Sequence, residues 1–171
     1  MTLLPEGLDY DAMLRLLAAA GIGMAIGLNR DLHGKPTGMR TLGLVCMGAA
    51  LAAITGIRVE GMAGHPDAMS RVVQGILQGV LAGIGFLGAG VVLRDQDALE
   101  VHGLTTAATV WVTAALGIAC ALASWEIVAF AVVITLALLA AARPLEHFVE
   151  RRQAAREDAA KASGGGPEAQ A

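Results

Sequence analysis

The sequence predicts an all-α, polytopic membrane protein: a bundle of about five transmembrane helices with a short cytoplasmic helical tail. Three observations carry this reading. Charged residues make up only 16% of the 171 residues and apolar ones 56%, whereas soluble domains carry about 25% charge. The apolar residues fall in long runs whose charges sit at the ends. Those runs are apolar all round, without the polar stripe that a surface helix of a soluble protein needs.

Crossing about 30 Å of hydrocarbon takes about 20 helical residues. A charge at the helix centre costs about 2.5–3.5 kcal/mol on insertion scales, so charge-free stretches mark the spans. The first helix is expected near residues 12–29, with Arg15 close enough to one end to reach the interface. The second is expected near 41–57 and the third near 72–93. The stretch 103–142 is interrupted only by Glu126. As one helix it would be about 60 Å long, twice the hydrocarbon thickness. It must fold back, and Ser124, Trp125 and Glu126 mark the turn, giving helices near 104–122 and 125–142. Residues 1–142 then form the transmembrane domain. The tail, 143–171, opens at Arg143-Pro144, is helical over 145–161 and is disordered from about residue 163. The first eleven residues carry Glu6, Asp9 and Asp11 and no Lys or Arg, so the first span reads as a retained anchor, not a cleaved signal.

Lys and Arg in the connections set the orientation. With five helices, Arg30, Lys35, Arg40, Arg94 and the five basic residues of the tail share one side, nine of the twelve Lys and Arg. Arg15, Arg58 and Arg71 lie on the other. The N-terminus is expected in the periplasm and the C-terminus in the cytoplasm.

Several function classes are excluded. A net charge of −3 and 4% aromatic residues offer neither the basic field nor the stacking platforms that nucleic acid requires. No HExxH, GxSxG or Walker motif occurs, and the four histidines are scattered, so no enzyme is expected. Cys46 and Cys120 lie in apolar runs outside any CxxC pattern and read as reduced, buried, small hydrophobes. Gly83, Gly85 and Gly88 match GxGxxG, but inside a charge-free span they lack the strand–turn–helix context of a dinucleotide site.

The glycines are better read as packing surfaces. Gly75, Gly79 and Gly83 recur every four residues, Gly85, Gly88 and Gly90 follow, and Gly23 and Gly27 repeat the spacing in the first span. In lipid, helices attract one another chiefly where small residues let backbones approach. If the first and third helices pack by these faces, their loops meet. Asn29, Arg30, Asp31, Lys35, Arg40, Arg94 and Asp95 would then form a mixed-charge cytoplasmic cluster, either ordinary interfacial charge or a working site. Its acids could hold hydrated Mg²⁺, which needs few direct protein ligands, but no spacing demands a metal and none is assigned. In the fourth span Thr105, Thr109 and Thr113 share a face, next to Thr106 and Trp111. Such threonines bond their own backbone or a neighbouring helix, or line a cavity.

At these residues the chain resembles the MgtC/SapB family of bacterial inner-membrane proteins. The resemblance rests on IGLNRDLHGKPTGMRTLGLVCMGAAL (26–51), GIGFLGAGVVLRD (83–95) and VHGLTTAATVWVTAALG (101–117), in the family's order and spacing, and covers roughly residues 12–142. It implies five transmembrane helices, a cytoplasmic C-terminus and a link to growth under magnesium limitation. It also implies a regulatory partner, the rotary ATP synthase in at least one branch. Two departures stand out. The family usually has Glu where this chain has Asn29, and virulence-type members carry a folded cytoplasmic domain where the tail here is short. The expectation is a non-enzymatic membrane protein tied to magnesium homeostasis that regulates another membrane complex. Its partners are the lipid bilayer and other membrane proteins or copies of itself. The alternative is an oligomeric transporter or channel for Mg²⁺ or another ion.

Overall fold

The computed structural model describes residues 9–58, 65–94 and 101–141. Among them the chain is all-α, with helices α1 (Tyr10–Asp31), α2 (Met39–Ile57), α3 (Pro66–Val91) and α4 (Leu104–Leu122), then α5 (Trp125–Ala141). Between α3 and α4 lies a two-residue antiparallel pairing of β1 (Leu93–Arg94) with β2 (Val101–His102), in the register Leu93 to His102 and Arg94 to Val101. α1 to α4 are long and apolar enough to cross a bilayer, and α5 is a shorter apolar helix. The expected tail, 143–171, lies outside the described residues.

The helices outrun the charge-free stretches that announce them. α1 starts at Tyr10 because the Asp9 side chain caps it, accepting from the Ala12 N–H at 3.0 Å. α3 starts at Pro66, six residues before the expected 72. Proline suits the first helical turn, where its missing N–H is no loss, and Asp67 there suits the helix dipole. α3 also stops at Val91, two residues before the expected 93, because the chain becomes extended to make the β1–β2 pairing. Charge marks where lipid ends, not where a helix ends. The turn foreseen at Ser124 is present: α4 stops at Leu122, Ala123 is extended, and the Val128 N–H donates to the Ser124 carbonyl as α5 begins.

The chain up to Val133 packs as one unit, and a second unit begins at Ile134. In the first, α1 and α3 each pack against both α2 and α4. Neighbours run antiparallel: Gly23 lies on Leu42 and Gly43 and Gly27 on Met39, Gly56 faces Ile76, and Gly88 faces Ala107. α4 is the most enclosed helix, with Val110, Ala114, Leu116, Ile118, Cys120 and Ala121 all buried. The core is built largely from alanine: Ala12, Ala49, Ala53, Ala114 and Ala121 surround Ile54 and Ile118. Small side chains let backbones close on one another, which in lipid replaces the hydrophobic drive available in water. In the second unit the described residues, 134–141, are the end of α5, with Ile134 and Leu138 exposed.

The expected meeting of α1 and α3 through glycine faces does not occur. Gly23 and Gly27 are occupied by α2. A Cβ on Gly23 would run into the Leu42 carbonyl oxygen, and one on Gly27 into the Met39 backbone. On α3, a Cβ added at Gly75, Gly79, Gly83, Gly85 or Gly90 would meet nothing within 4 Å outside its own turn of helix, and only one at Gly88 would meet another helix, 3.4 Å from the Ala107 Cβ. The tightest site lies elsewhere. Gly117 of α4 rests on the Cys46 backbone of α2, and Cys46 in turn rests on Gly23 of α1. Three helices therefore converge on one cysteine between two glycines.

Candidate functional site

At one end of the bundle α1 ends in two adjacent charges that point different ways. Arg30 is buried, at 4% exposure. Its place follows from spacing, since Gly23, Gly27 and Arg30 are four and three residues apart and share the packing face of α1. Its Nε donates to the Pro36 carbonyl (3.1 Å), Nη1 to Thr109 Oγ1 (3.4 Å) and Nη2 to Thr106 Oγ1. The planar fork of a guanidinium can hold a loop and a helix together, which a lysine cannot do.

Asp31 turns outward and caps the next helix. Its Oδ2 accepts from the Met39 N–H at 2.9 Å, where a carboxylate satisfies an orphan donor and opposes the positive end of α2. The chain between bends sharply: Gly34 and Thr37 have φ of +61° and +62°. Gly38 precedes α2, where any Cβ would collide with the Asp31 carboxylate. Glycine suits the first of these conformations, whereas a β-branched threonine there is an outlier that the surrounding bonds must hold in place. The Thr37 hydroxyl donates to the Pro36 carbonyl at 2.6 Å, so Pro36 serves Arg30 and Thr37 together.

Of the remaining cluster residues, Asn29 is half-buried, with its carbonyl facing His33 Nδ1. Lys35 and Arg40 are exposed on the loop and at the start of α2. Arg94 lies in β1, its backbone paired with Val101. Asp95 lies outside the described residues. Arg30 and Asp31 are thus joined to α4 and α2, while Lys35 and Arg40 present charge at the same end. Among the described residues no three His, Cys, Asp or Glu side chains gather as a metal would require.

The threonine face is shifted from its expected position. Thr106, Thr109 and Thr113 are buried, whereas Thr105 and Trp111 are exposed. Residues spaced three and four apart share a face, and Arg30 selects the one containing Thr106. The Thr109 hydroxyl donates to the Thr105 carbonyl and Thr113 to the Thr109 carbonyl, both at 2.7 Å. These bonds leave the Thr109 oxygen free to accept from Arg30.

A second arginine of α1 holds the opposite end of α4, a contact the sequence reading did not contain. Arg15 Nη1 donates to the Cys120 carbonyl at 2.8 Å, and Nε to Asp11 Oδ2 at 2.7 Å. Its guanidinium lies 5.3 Å from the centre of the Trp125 ring. Cations favour helix C-termini because the last carbonyls lack partners there. At that end too, Arg58 pairs with Asp9 and, with the Ala12 N–H, holds the Asp9 carboxyl below its ordinary range. α1 therefore grips α4 by two arginines fifteen residues apart, about 22 Å along a helix. Cys46 and Cys120, read as separate small hydrophobes, are buried, free and adjacent.

The sequence pattern of the MgtC family matches residues 16–148. Protein SrpB of Synechococcus elongatus is 41% identical over 158 residues, covering 88% of this chain and 85% of SrpB. Protein MgtC of Salmonella typhimurium is 38% identical over 119 residues, 70% of this chain and 47% of that protein. Protein SapB of Bacillus subtilis is 36% identical over 115 residues, 66% of this chain and 48% of SapB. The chain thus spans about half the length of MgtC and SapB. No solved structure matches it.

Proposed function

Because the chain belongs to the MgtC family, we propose that it is a non-enzymatic regulator in the bacterial inner membrane that serves magnesium homeostasis by acting on another membrane complex. It is a multi-pass membrane protein, and the reading concerns what its polar groups do. The observation that carries it is the use of Arg30. An ionisable group inside a membrane bundle that serves transport faces a path. Arg30 is instead closed in by Pro36, Thr106 and Thr109, which makes it a fastener between helices. Among the described residues, Lys35 and Arg40 are the exposed charges at that end of the bundle that this reading offers to a partner. In this reading that end faces the cytoplasm, the N-terminus is periplasmic, and the rotary ATP synthase is the partner the family resemblance implies.

The second reading is an oligomeric transporter for Mg²⁺ or another ion, favoured by the buried hydroxyls of Thr106, Thr109 and Thr113. Reconstitution into proteoliposomes separates the two. The regulator gives no Mg²⁺ flux above empty vesicles, while Arg40→Ala inserts normally and fails to restore growth of a deletion strain in low magnesium. Flux above the empty control overturns the proposal.

A further inference from the structure

The cysteine on which three helices converge has a second cysteine beside it. Cys46 of α2 and Cys120 of α4 are both 0% exposed and both free, and their thiols hydrogen-bond to each other. The contacts at the two ends of the bundle make no use of either thiol: Arg15 holds Cys120 by its carbonyl alone.

Backbone packing brings the two sulfurs together. Side chains usually keep helix axes about 8–10 Å apart, whereas a disulfide needs Cα atoms about 4.4–6.8 Å apart. Gly117 removes the spacer. There α4 rests directly on the Cys46 backbone, and a Cβ at Gly117 would overlap the Cys46 carbonyl. Cys120 lies three residues beyond Gly117 and shares its face. On the other side, Gly23 of α1 backs onto the Cys46 Cβ, which limits how far that side chain can turn away. Arg15 fixes the Cys120 backbone at 2.8 Å. Each cysteine is thus held from behind while its thiol faces the other.

We infer that Cys46 and Cys120 form a peroxide-responsive pair: hydrogen peroxide converts the two thiols to a disulfide that fastens α2 to α4. One sulfur attacks a peroxide oxygen, the O–O bond breaks, and the departing hydroxide takes the thiol proton and leaves as water. The second sulfur then attacks the sulfenic sulfur, whose hydroxyl leaves with that thiol's proton as a second water. Two thiols are oxidised and one peroxide is reduced, with no further reactant. Burial selects the oxidant. Hydrogen peroxide is small and uncharged and passes between packed helices. Glutathione disulfide reacts through a mixed disulfide and needs a sulfur it can touch. The inference does not rest on the regulatory reading: the same bridge forms in a regulator and in a transporter.

The test uses the full wild-type chain in lipid nanodiscs. After treatment with millimolar hydrogen peroxide and removal of the excess, the chain is unfolded in SDS with N-ethylmaleimide and its intact mass is read. The expected product is a monomer lighter than the reduced chain by two hydrogen atoms, with neither cysteine alkylated. Dithiothreitol added after unfolding restores both labels. Glutathione disulfide at the same concentration leaves both thiols free. The bridged chain is expected to unfold about 5–10 °C higher, because the bridge closes a long loop in the unfolded state. Cys46→Ala and Cys120→Ala each remove the bridge and the rise with it. Two alkylated cysteines after peroxide, a disulfide between two chains, a bridge formed equally by glutathione disulfide, or a bridged chain with an unchanged midpoint each overturns the inference. Mg²⁺ flux in proteoliposomes would sink the regulatory reading and leave this one standing.

Discussion

Arg30 and Thr106, 76 residues apart in the chain, meet inside the bundle, where the guanidinium donates to the hydroxyl. One bond thereby ties the end of the first span to the start of the fourth. The same arginine reaches Thr109 and the Pro36 carbonyl, so its charge is solvated by three neutral oxygens rather than paired with a carboxylate. Removing an acceptor leaves a buried charged donor unsatisfied, which costs more than the net value of the bond itself.

Thr106→Val keeps the shape of the side chain and deletes the acceptor. It is expected to destabilise the protein by about 1.5–3 kcal/mol, measured as a lowered thermal midpoint in detergent. Thr105→Val, on the exposed side, should leave the midpoint unchanged. Equal effects at the two positions would mean that Arg30 does not select the α4 face.

Arg15 grips the other end of α4. Arg15→Ala loses the bond to the Cys120 carbonyl and the stacking on Trp125 and is expected to cost about 1–2 kcal/mol. Trp125→Ala removes only the ring contact and should cost less, about 0.5–1 kcal/mol. Thermal unfolding of both variants, alone and combined, checks the order, and an additive double variant would show the two side chains to be uncoupled.

The glycines divide by what surrounds them. Gly117→Ala would drive a methyl group into the Cys46 backbone and is expected to separate α2 from α4, seen as low yield and a lowered midpoint. Gly21→Ala meets nothing within 4 Å and should be neutral or stabilising by about 0.5–1 kcal/mol, since alanine favours the helix. Comparable loss in both variants would remove Cys46 as the point where the helices converge.

Asp9 makes stability depend on pH in a definite direction. Arg58 and the Ala12 N–H depress its carboxyl in the folded protein. The carboxylate therefore contributes stability above the ordinary carboxylate range, and the contribution disappears as pH falls through the depressed value. Asp9→Asn should lower the midpoint at neutral pH and flatten its fall on acidification. A pH profile identical to wild type would show that the pair with Arg58 does not hold α1 to α2.

Much of this protein is legible in one dimension. Lipid excludes charge, so the charge-free stretches located all five helices, and the fold-back at Ser124 followed from the length of the last stretch. The 4–3 spacing of Gly23, Gly27 and Arg30 even places the arginine on the packing face of α1. Which helix meets that face was decided only in three dimensions, because an apolar span offers several surfaces of similar composition. The glycines of α1 took α2 rather than α3, since Leu42, Gly43 and Met39 fit against them. Arg30 chose Thr106 over Thr105 because hydrogen bonds in lipid need direction and distance as well as chemistry. Composition and spacing state what lipid will accept, and the tertiary structure states which buried polar group finds which partner.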